Sequence, residues 1–201
     1  QISSVWYSPE RSERIQDLLS AKDDWQGSDV HKMQLDLFSR MAEKTQLVFK
    51  AIEGDLNTAI AKLSEKKQKR AKAALTIFKK FDNVMHKDSQ GAALMGAFYH
   101  VFTRNVFGDE LGIDSPLWKN FVDTNLRSYS APQDHILGRD ESPFFDDIST
   151  QQKETKADML ALALADAYEY CEDAMGAPEK WRWEKLHKIY WRSDISKDIP
   201  F

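Results

Sequence analysis

Apolar residues recur at intervals of three and four along most of this chain, and that periodicity limits its fold more than any other feature. Leu94, Phe98, Val101 and Phe102 follow it, and so do Leu160, Leu164, Ala167, Tyr168 and Cys171. A strand places its side chains alternately on two faces and needs a period of two, whereas these runs put one apolar stripe on a helix. The chain holds eight Gly and six Pro in 201 residues, few for an architecture built on tight turns, so long helices are favoured. The expectation is a mainly α chain, read as a single helical region over residues 1–201.

Local signals divide that region. Ser8-Pro9-Glu10 reads as a helix start, with Ile15, Leu18 and Leu19 facing inward and an end near Lys22. A second helix is expected from Ser28, carrying Val30, Met33, Leu37, Phe38, Met41, Leu47, Val48 and Ile52 without a break and stopping at Gly54. Leu56–Leu63 forms a short helix. A further helix opens at the basic run Lys66–Arg70 and turns Ala71, Ala74, Leu75, Phe78 and Phe81 inward. That run reads as a solvated helix face rather than a nucleic-acid patch or a targeting tag. Next comes a strong helix from Ser89 to about Val106, ended by Phe107-Gly108-Asp109. Ser115-Pro116 begins another, with Leu117, Phe121, Val122 and Leu126 on its face. Ser128–Thr150 reads as a polar, acidic loop. Ser149 with Gln152 forms a capping box for a helix running to Met175, closed by Gly176-Ala177-Pro178. Glu179–Tyr190 is a last short helix, and the ends, Ile2–Tyr7 and Ile189–Phe201, are the segments open to strand.

Composition removes several classes of function. A formal net charge of −4 argues against a dedicated nucleic-acid binder. No apolar run approaches the ~20 residues of a membrane span. A single cysteine, Cys171, rules out an internal disulfide and a Cys-rich zinc site, and leaves the compartment open. The first residue is Gln, which suggests a processed chain or a piece of a longer one.

Few residues carry chemistry on their own spacing. His31, His86, His100, His135 and His187 form no HxxxH, HxH or ExxH pair, so a dedicated zinc or di-iron site is not expected. Cys171 lies on an apolar helix face and reads as a buried structural thiol. Asp134, Asp140, Glu141, Asp146 and Asp147 make the long loop acidic, but they lack the alternation of a calcium loop and read as solvated. Arg11 and Arg14 follow the aromatic pair Trp6-Tyr7 at a helix start, where an Arg can orient a carboxylate or acyl group. The simpler reading of either is a surface or salt-bridged Arg.

Four segments, in order, resemble the penicillin amidase family. Trp6 is followed five residues later by Arg11, then by Arg14-Ile15 and Leu18-Leu19. Met33-Gln34-Leu35-Asp36 with Ser39 resembles that family's Q-x-D-x-x-S helix. Phe81-Asp82 and Asp88–Leu94 resemble its W-D and D-S-x-A-A stretch, with Phe in place of Trp. Trp181–His187 resembles its W-x-W-G-x-L-H signature, with Glu184 in place of Gly.

The resemblance implies an N-terminal nucleophile hydrolase, an αββα enzyme matured by self-cleavage into α and β chains. In that family the N-terminal Ser of the β chain attacks an amide, and its own α-amine is the base. The products are a carboxylic acid and an amine, from penicillins, acyl-homoserine lactones or other N-acyl amides. On this reading the chain is a helix-rich internal part of the β chain. The nucleophile, the oxyanion-hole Asn and a calcium-binding Asp of some members would then lie before Gln1. The resemblance further implies a periplasmic or secreted protein. Its partners would be the rest of the β chain, the α chain and a small amide substrate, with no cofactor held by this chain. Calcium is expected only as an option of the full-length enzyme. One family site residue maps here: Arg11, beside the substrate and the oxyanion-hole Asn. The Trp-rich motif reads as structural, with His187 capping or bridging backbone. The alternative reading is a non-catalytic helical binding or scaffold domain.

Overall fold

The computed structural model describes residues 8–123 and 131–188. Ten α-helices follow one another in the described residues: α1 (Glu10–Ser20), α2 (Gly27–Gln34), α3 (Arg40–Ala51), α4 (Glu53–Lys62), α5 (Glu65–Phe78), α6 (Gln90–Leu111), α7 (Pro116–Phe121), α8 (Ala131–Leu137), α9 (Lys156–Met175) and α10 (Trp183–Leu186). Among these residues no strand forms, and the one β-type pairing is an isolated antiparallel bridge between Phe38 and Val84. The mainly α expectation holds. The strand option at Ile2–Tyr7 and Ile189–Phe201, and the position of Leu126, fall outside the described residues.

The two longest helices make the centre. α6 buries Ala92, Ala93, Leu94, Ala97, Phe98, Val101 and Phe102, and α9 buries Ala157, Leu160, Ala161, Ala163, Leu164 and Ala167. α9 packs against α4, α5 and α6. Alanines along both contact faces let backbones approach closely, and larger side chains fill the remaining volume. Phe98 anchors an aromatic group, edge-on to Phe49 at 5.3 Å and stacked on Phe102 at 5.5 Å. The basic run at the start of α5 lies along α9: Lys67 pairs with Asp166 at 2.9 Å, and Arg70 pairs with Glu169 and Glu172. It is a helix-to-helix ion ladder, more than a solvated face.

Several expected boundaries shift. The long helix from Ser28 is broken at Leu35–Ser39, because Ser39 caps α3 by accepting from the Ala42 amide and its neighbours pair with residues 83–85. Gly54 lies inside the first turn of α4 rather than ending a helix. Phe107-Gly108-Asp109 does not end α6, which continues to Leu111 and stops at Gly112, φ +68°. Gly108 is accommodated because Ile113 occupies the space of a missing Cβ. The acidic loop contains a helix, α8, and a 3-10 turn at Pro143–Phe145. The capping box before α9 is Thr155 with Asp158, not Ser149 with Gln152. After Gly176 (φ +77°) the expected last helix is reduced to a 3-10 turn, Pro178–Lys180, and the single turn α10.

The faces of the short helices also differ from expectation. Ile15 and Leu19 of α1 are 39% and 47% exposed, and Leu117 of α7 is exposed. The apolar stripe of α1 is present but only partly covered among the described residues, with Leu18 half-buried.

Candidate functional site

The site grows from the angle between α1 and the α2–α3 elbow. α1 does not start as expected. Pro9, in αR conformation, takes the N-cap position, and its carbonyl accepts from the Glu13 amide and the Ser12 hydroxyl. The Ser8 hydroxyl caps nothing and is buried without a hydrogen-bond partner among the described residues.

The elbow is held by backbone bonds. Ser39 N donates to Asn83 O at 2.8 Å, and Met85 N donates to Leu37 O at 2.9 Å. Gln46 Nε2 donates to Phe81 O and to Asn83 Oδ1. Asn83, at φ +64°, turns the chain there, in a region Asn tolerates better than most residues. Phe81 fills the space above Gly91, where a Cβ would lie 2.5 Å from its ring. The Phe81-Asp82 and Gly91–Leu94 motifs therefore brace the elbow from below.

On this base Asp36 accepts a forked pair from Arg14, Nε to Oδ2 and Nη2 to Oδ1, both 2.8 Å. The guanidinium lies 4.5 Å from the Phe38 ring centroid. The hydrogen bonds from Arg14 hold the Asp36 carboxyl below the usual aspartate range. Lys44 reaches Glu10 at 3.3 Å and Glu13 at 3.4 Å, and burial pushes the Glu10 carboxyl up. Arg40 pairs with Asp17 and Glu43. The Tyr99 hydroxyl donates to Met41 O at 2.9 Å and ties α3 to α6.

These groups border an open cavity of about 650 Å³, lined among others by Ser8, Arg11, Arg14, Asp36, Phe38 and Arg40. Its ions are matched, Arg14 with Asp36, Arg40 with Asp17 and Glu43, and Glu10 with Lys44. Arg11 is exposed and has no ionic or hydrogen-bonding partner among the described residues. Arg40 Nε, like Ser8 Oγ, is buried without a partner there. The wall thus offers one uncompensated guanidinium and two spare polar atoms, a set suited to an oxygen-rich or anionic group. Trp6 and Tyr7, the aromatic neighbours of Arg11, lie outside the described residues. Sequence reasoning gave Arg14 only the generic part of a salt-bridged Arg. Its partner Asp36, 22 residues away in another motif, emerges only from the tertiary contact.

The other candidate groups do not join this site. Cys171 is fully buried, its Sγ 3.9 Å from Ala93 O, and burial pushes its thiol up to about 12. Two of the acidic residues spend their oxygens locally. Asp146 Oδ1 accepts from Glu154 N, and Asp147 Oδ1 accepts from the Ser149 amide and hydroxyl. Among the described residues no three His, Cys, Asp or Glu converge in an arrangement that could hold a metal ion. No described helix is long and apolar enough to cross a membrane. Trp181 is buried and donates Nε1–H to Gly176 O at 2.8 Å. Trp183 packs over Gly96, and His187 stacks on Trp183 at 4.7 Å. Trp181 fills core volume as expected, and His187 takes the C-cap position of α10, its amide donating to Trp183 O at 2.9 Å, while its ring stacks on Trp183.

Comparison with known proteins matches the chain to a family. A sequence model described as penicillin amidase matches residues 1–200. An acyl-homoserine lactone acylase, QuiP, of Pseudomonas aeruginosa is 44% identical over 205 residues, covering 100% of this chain and 24% of that protein. The QuiP of Pseudomonas fluorescens (strain Pf0-1) is 37% identical over 204 residues, covering 99% of this chain and 25% of its own. That of Pseudomonas syringae pv. tomato is 38% identical over 198 residues, covering 96% and 24%. The chain spans about a quarter of the length of these curated relatives. No solved structure matches it. With a family match along nearly all its length and a relative 44% identical across the whole of it, the chain belongs to the penicillin amidase family.

Proposed function

We propose that this chain is the helical portion of the β chain of an amide hydrolase, and that Arg11 is its contribution to the active site. The carrying observation is the uncompensated Arg11 guanidinium on a cavity wall whose other ions are matched. The reaction is cleavage of an N-acyl amide, with an acyl-homoserine lactone as the favoured substrate class, since the similar proteins carry that name. The attacking serine and its α-amine belong to the segment before Gln1 on this reading. The rest of the β chain and the α chain complete the site, and the enzyme works in the periplasm or outside the cell. Calcium, where bound, sits on residues outside this chain.

The role of Arg11 follows from its charge. As the amide carbonyl is attacked, its oxygen gains negative charge. A guanidinium aimed at that oxygen, or at the Asn side chain that binds it, stabilises the transition state more than the ground state. In comparable electrostatic roles a single donor contributes roughly 2.7–4 kcal/mol. Arg11→Ala in the full-length enzyme should lower kcat/KM for an N-acyl-homoserine lactone by about 10²-fold, with self-cleavage unaffected. Lys at position 11 should rescue only part, because it restores charge without the planar fork. Full activity in Arg11→Ala, or a loss traced entirely to failed maturation, would remove Arg11 from the site. The 201-residue chain alone is expected to hydrolyse neither a phenylacetyl amide nor a long-chain acyl amide.

A further inference from the structure

The structure assigns Arg14 and Asp36 a positioning role: their forked ion pair, stacked on Phe38, fixes the orientation of α1 and so aims Arg11 into the cavity. This rests on the reading of Arg11 given above.

Three observations carry it. First, α1 has little apolar grip. It contains no buried residue, and Ile15 and Leu19 stay 39% and 47% exposed. Its placement therefore depends on polar ties. Second, those ties differ in kind. Lys44 reaches Glu10 and Glu13 at 3.3 and 3.4 Å as a point charge on a flexible stem, which limits distance but not angle. Arg40 reaches Asp17 of α1 through one nitrogen while its other terminal nitrogen serves Glu43, so it forms no fork on the helix. Arg14 meets Asp36 through two parallel 2.8 Å hydrogen bonds and lies against an aromatic ring. A planar fork on a carboxylate fixes both distance and direction. Arg14 is three residues beyond Arg11, so about 4.5 Å of helix axis separates them, and a rotation of α1 at Arg14 carries straight to Arg11. Third, the anchor is rigidly mounted. Asp36 sits in the Leu35–Ser39 break, whose backbone is bonded to Asn83 and Met85. The Asn83 side chain in turn accepts from Gln46 of α3. The path from the core to Arg11 runs through these backbone and side-chain bonds and reaches α1 at the Arg14–Asp36 fork.

In the full-length enzyme the variants are Asp36→Asn and Arg14→Lys, each alone and combined with Arg11→Ala. The readouts are kcat and KM for an N-acyl-homoserine lactone, the fraction self-cleaved, and the thermal midpoint. Asp36→Asn keeps the shape and removes the charge, and Arg14→Lys keeps the charge and removes the fork. Each should lower kcat about 10-fold or more, with KM and maturation little changed, because small misplacements of a catalytic group are costly. On an Arg11→Ala background neither should lower kcat further, since the aimed group is gone. Exchanging the pair, Arg14→Asp with Asp36→Arg, should recover part of the loss. Wild-type kcat in both single variants overturns the assignment. So does a loss that multiplies in full with Arg11→Ala, which marks an independent structural effect. A costly Arg11→Ala beside silent clamp variants defeats the clamp alone. A silent Arg11→Ala defeats the site reading beneath it. If Asp36→Asn fails to mature, Arg14→Lys decides by the same measures.

Discussion

Glu110 sits at the end of α6 with Asp109 as its neighbour in sequence. The Asp109 carboxylate accepts from Ile148 N at 2.8 Å and so ties the loop before α9 to the helix end. Burial, a hydrogen bond with Asp109 and the charges of Asp109 and Asp147 push the Glu110 carboxyl up to about 7. The C-terminal pole of α6 disfavours a second anion there for the same reason. A carboxyl raised on folding binds a proton that the unfolded chain has already released. It therefore costs nothing below the unfolded value near 4.5, and it destabilises increasingly as pH rises toward 7. Glu110→Gln should raise the thermal midpoint at pH 8 and leave it unchanged at pH 4. After discounting for solvent screening, the gain is about 1 kcal/mol. An equal gain at both pH values, seen by circular dichroism, would show that charge is not the cause. Glu110 does not stand out in the sequence, because the largest cause of its shift is burial, and Asp147 comes near only in the fold; Asp109 alone is a sequence neighbour. Cys171 was legible as a buried thiol because it lies on the helical apolar stripe, and a stripe is a local property.

At the scale of elements, a helix is legible where a long apolar stripe coincides with a cap, as in α6 behind Ser89, while for the short α7 the Ser115 cap and Pro116 mark the start without a buried stripe. The errors cluster where tertiary bonds compete with local pattern. The apolar spacing runs unbroken from Val30 to Ile52, yet the bridge between Phe38 and Val84 takes Leu35–Ser39 out of the helix. α8 is short and polar, and its partner Thr103, reached through Gln133 Nε2 at 2.8 Å, is 30 residues away. α10 is a single turn whose position depends on docking rather than propensity. Glu184 N bonds Lys87 O at 3.0 Å, and Trp183 lies over Gly96 of α6. A Cβ at position 96 would fall 2.2 Å from the indole, so Gly96→Ala must displace Trp183. The expected cost is about 1–3 kcal/mol, with a red shift of tryptophan emission as the ring moves into water. Trp183→Leu should relieve most of the penalty of Gly96→Ala. An unchanged denaturation midpoint in Gly96→Ala would mean that α10 does not dock there.

Across the whole molecule, burial is uneven. α6 and α9 bury most of their inward faces, while α1 and α2 bury no residue fully. Val30, Leu35 and Leu37 are exposed, as are Ile15 and Leu19. The sequence reading placed Ile15 and Leu19 inward because an amphipathic stripe signals a face to be covered, and it cannot say by what. The α1–α2 arm is held by the Arg14–Asp36 fork and by lysine and arginine pairs, each partly exposed and individually weak. Local opening of such an arm removes little apolar contact, so its free energy should lie well below that of global unfolding. Native-state hydrogen exchange of the 201-residue chain should show amides of α1 and α2 exchanging first and those of α6 and α9 last. Because the arm's ties are ionic, raising the salt concentration should speed exchange in α1 and leave α9 nearly unchanged. Uniform protection across α1 and α9 would mean that the ion pairs couple the arm to the core as one cooperative unit. In that case the clamp at Asp36 would contribute to global stability as well as to the aim of Arg11.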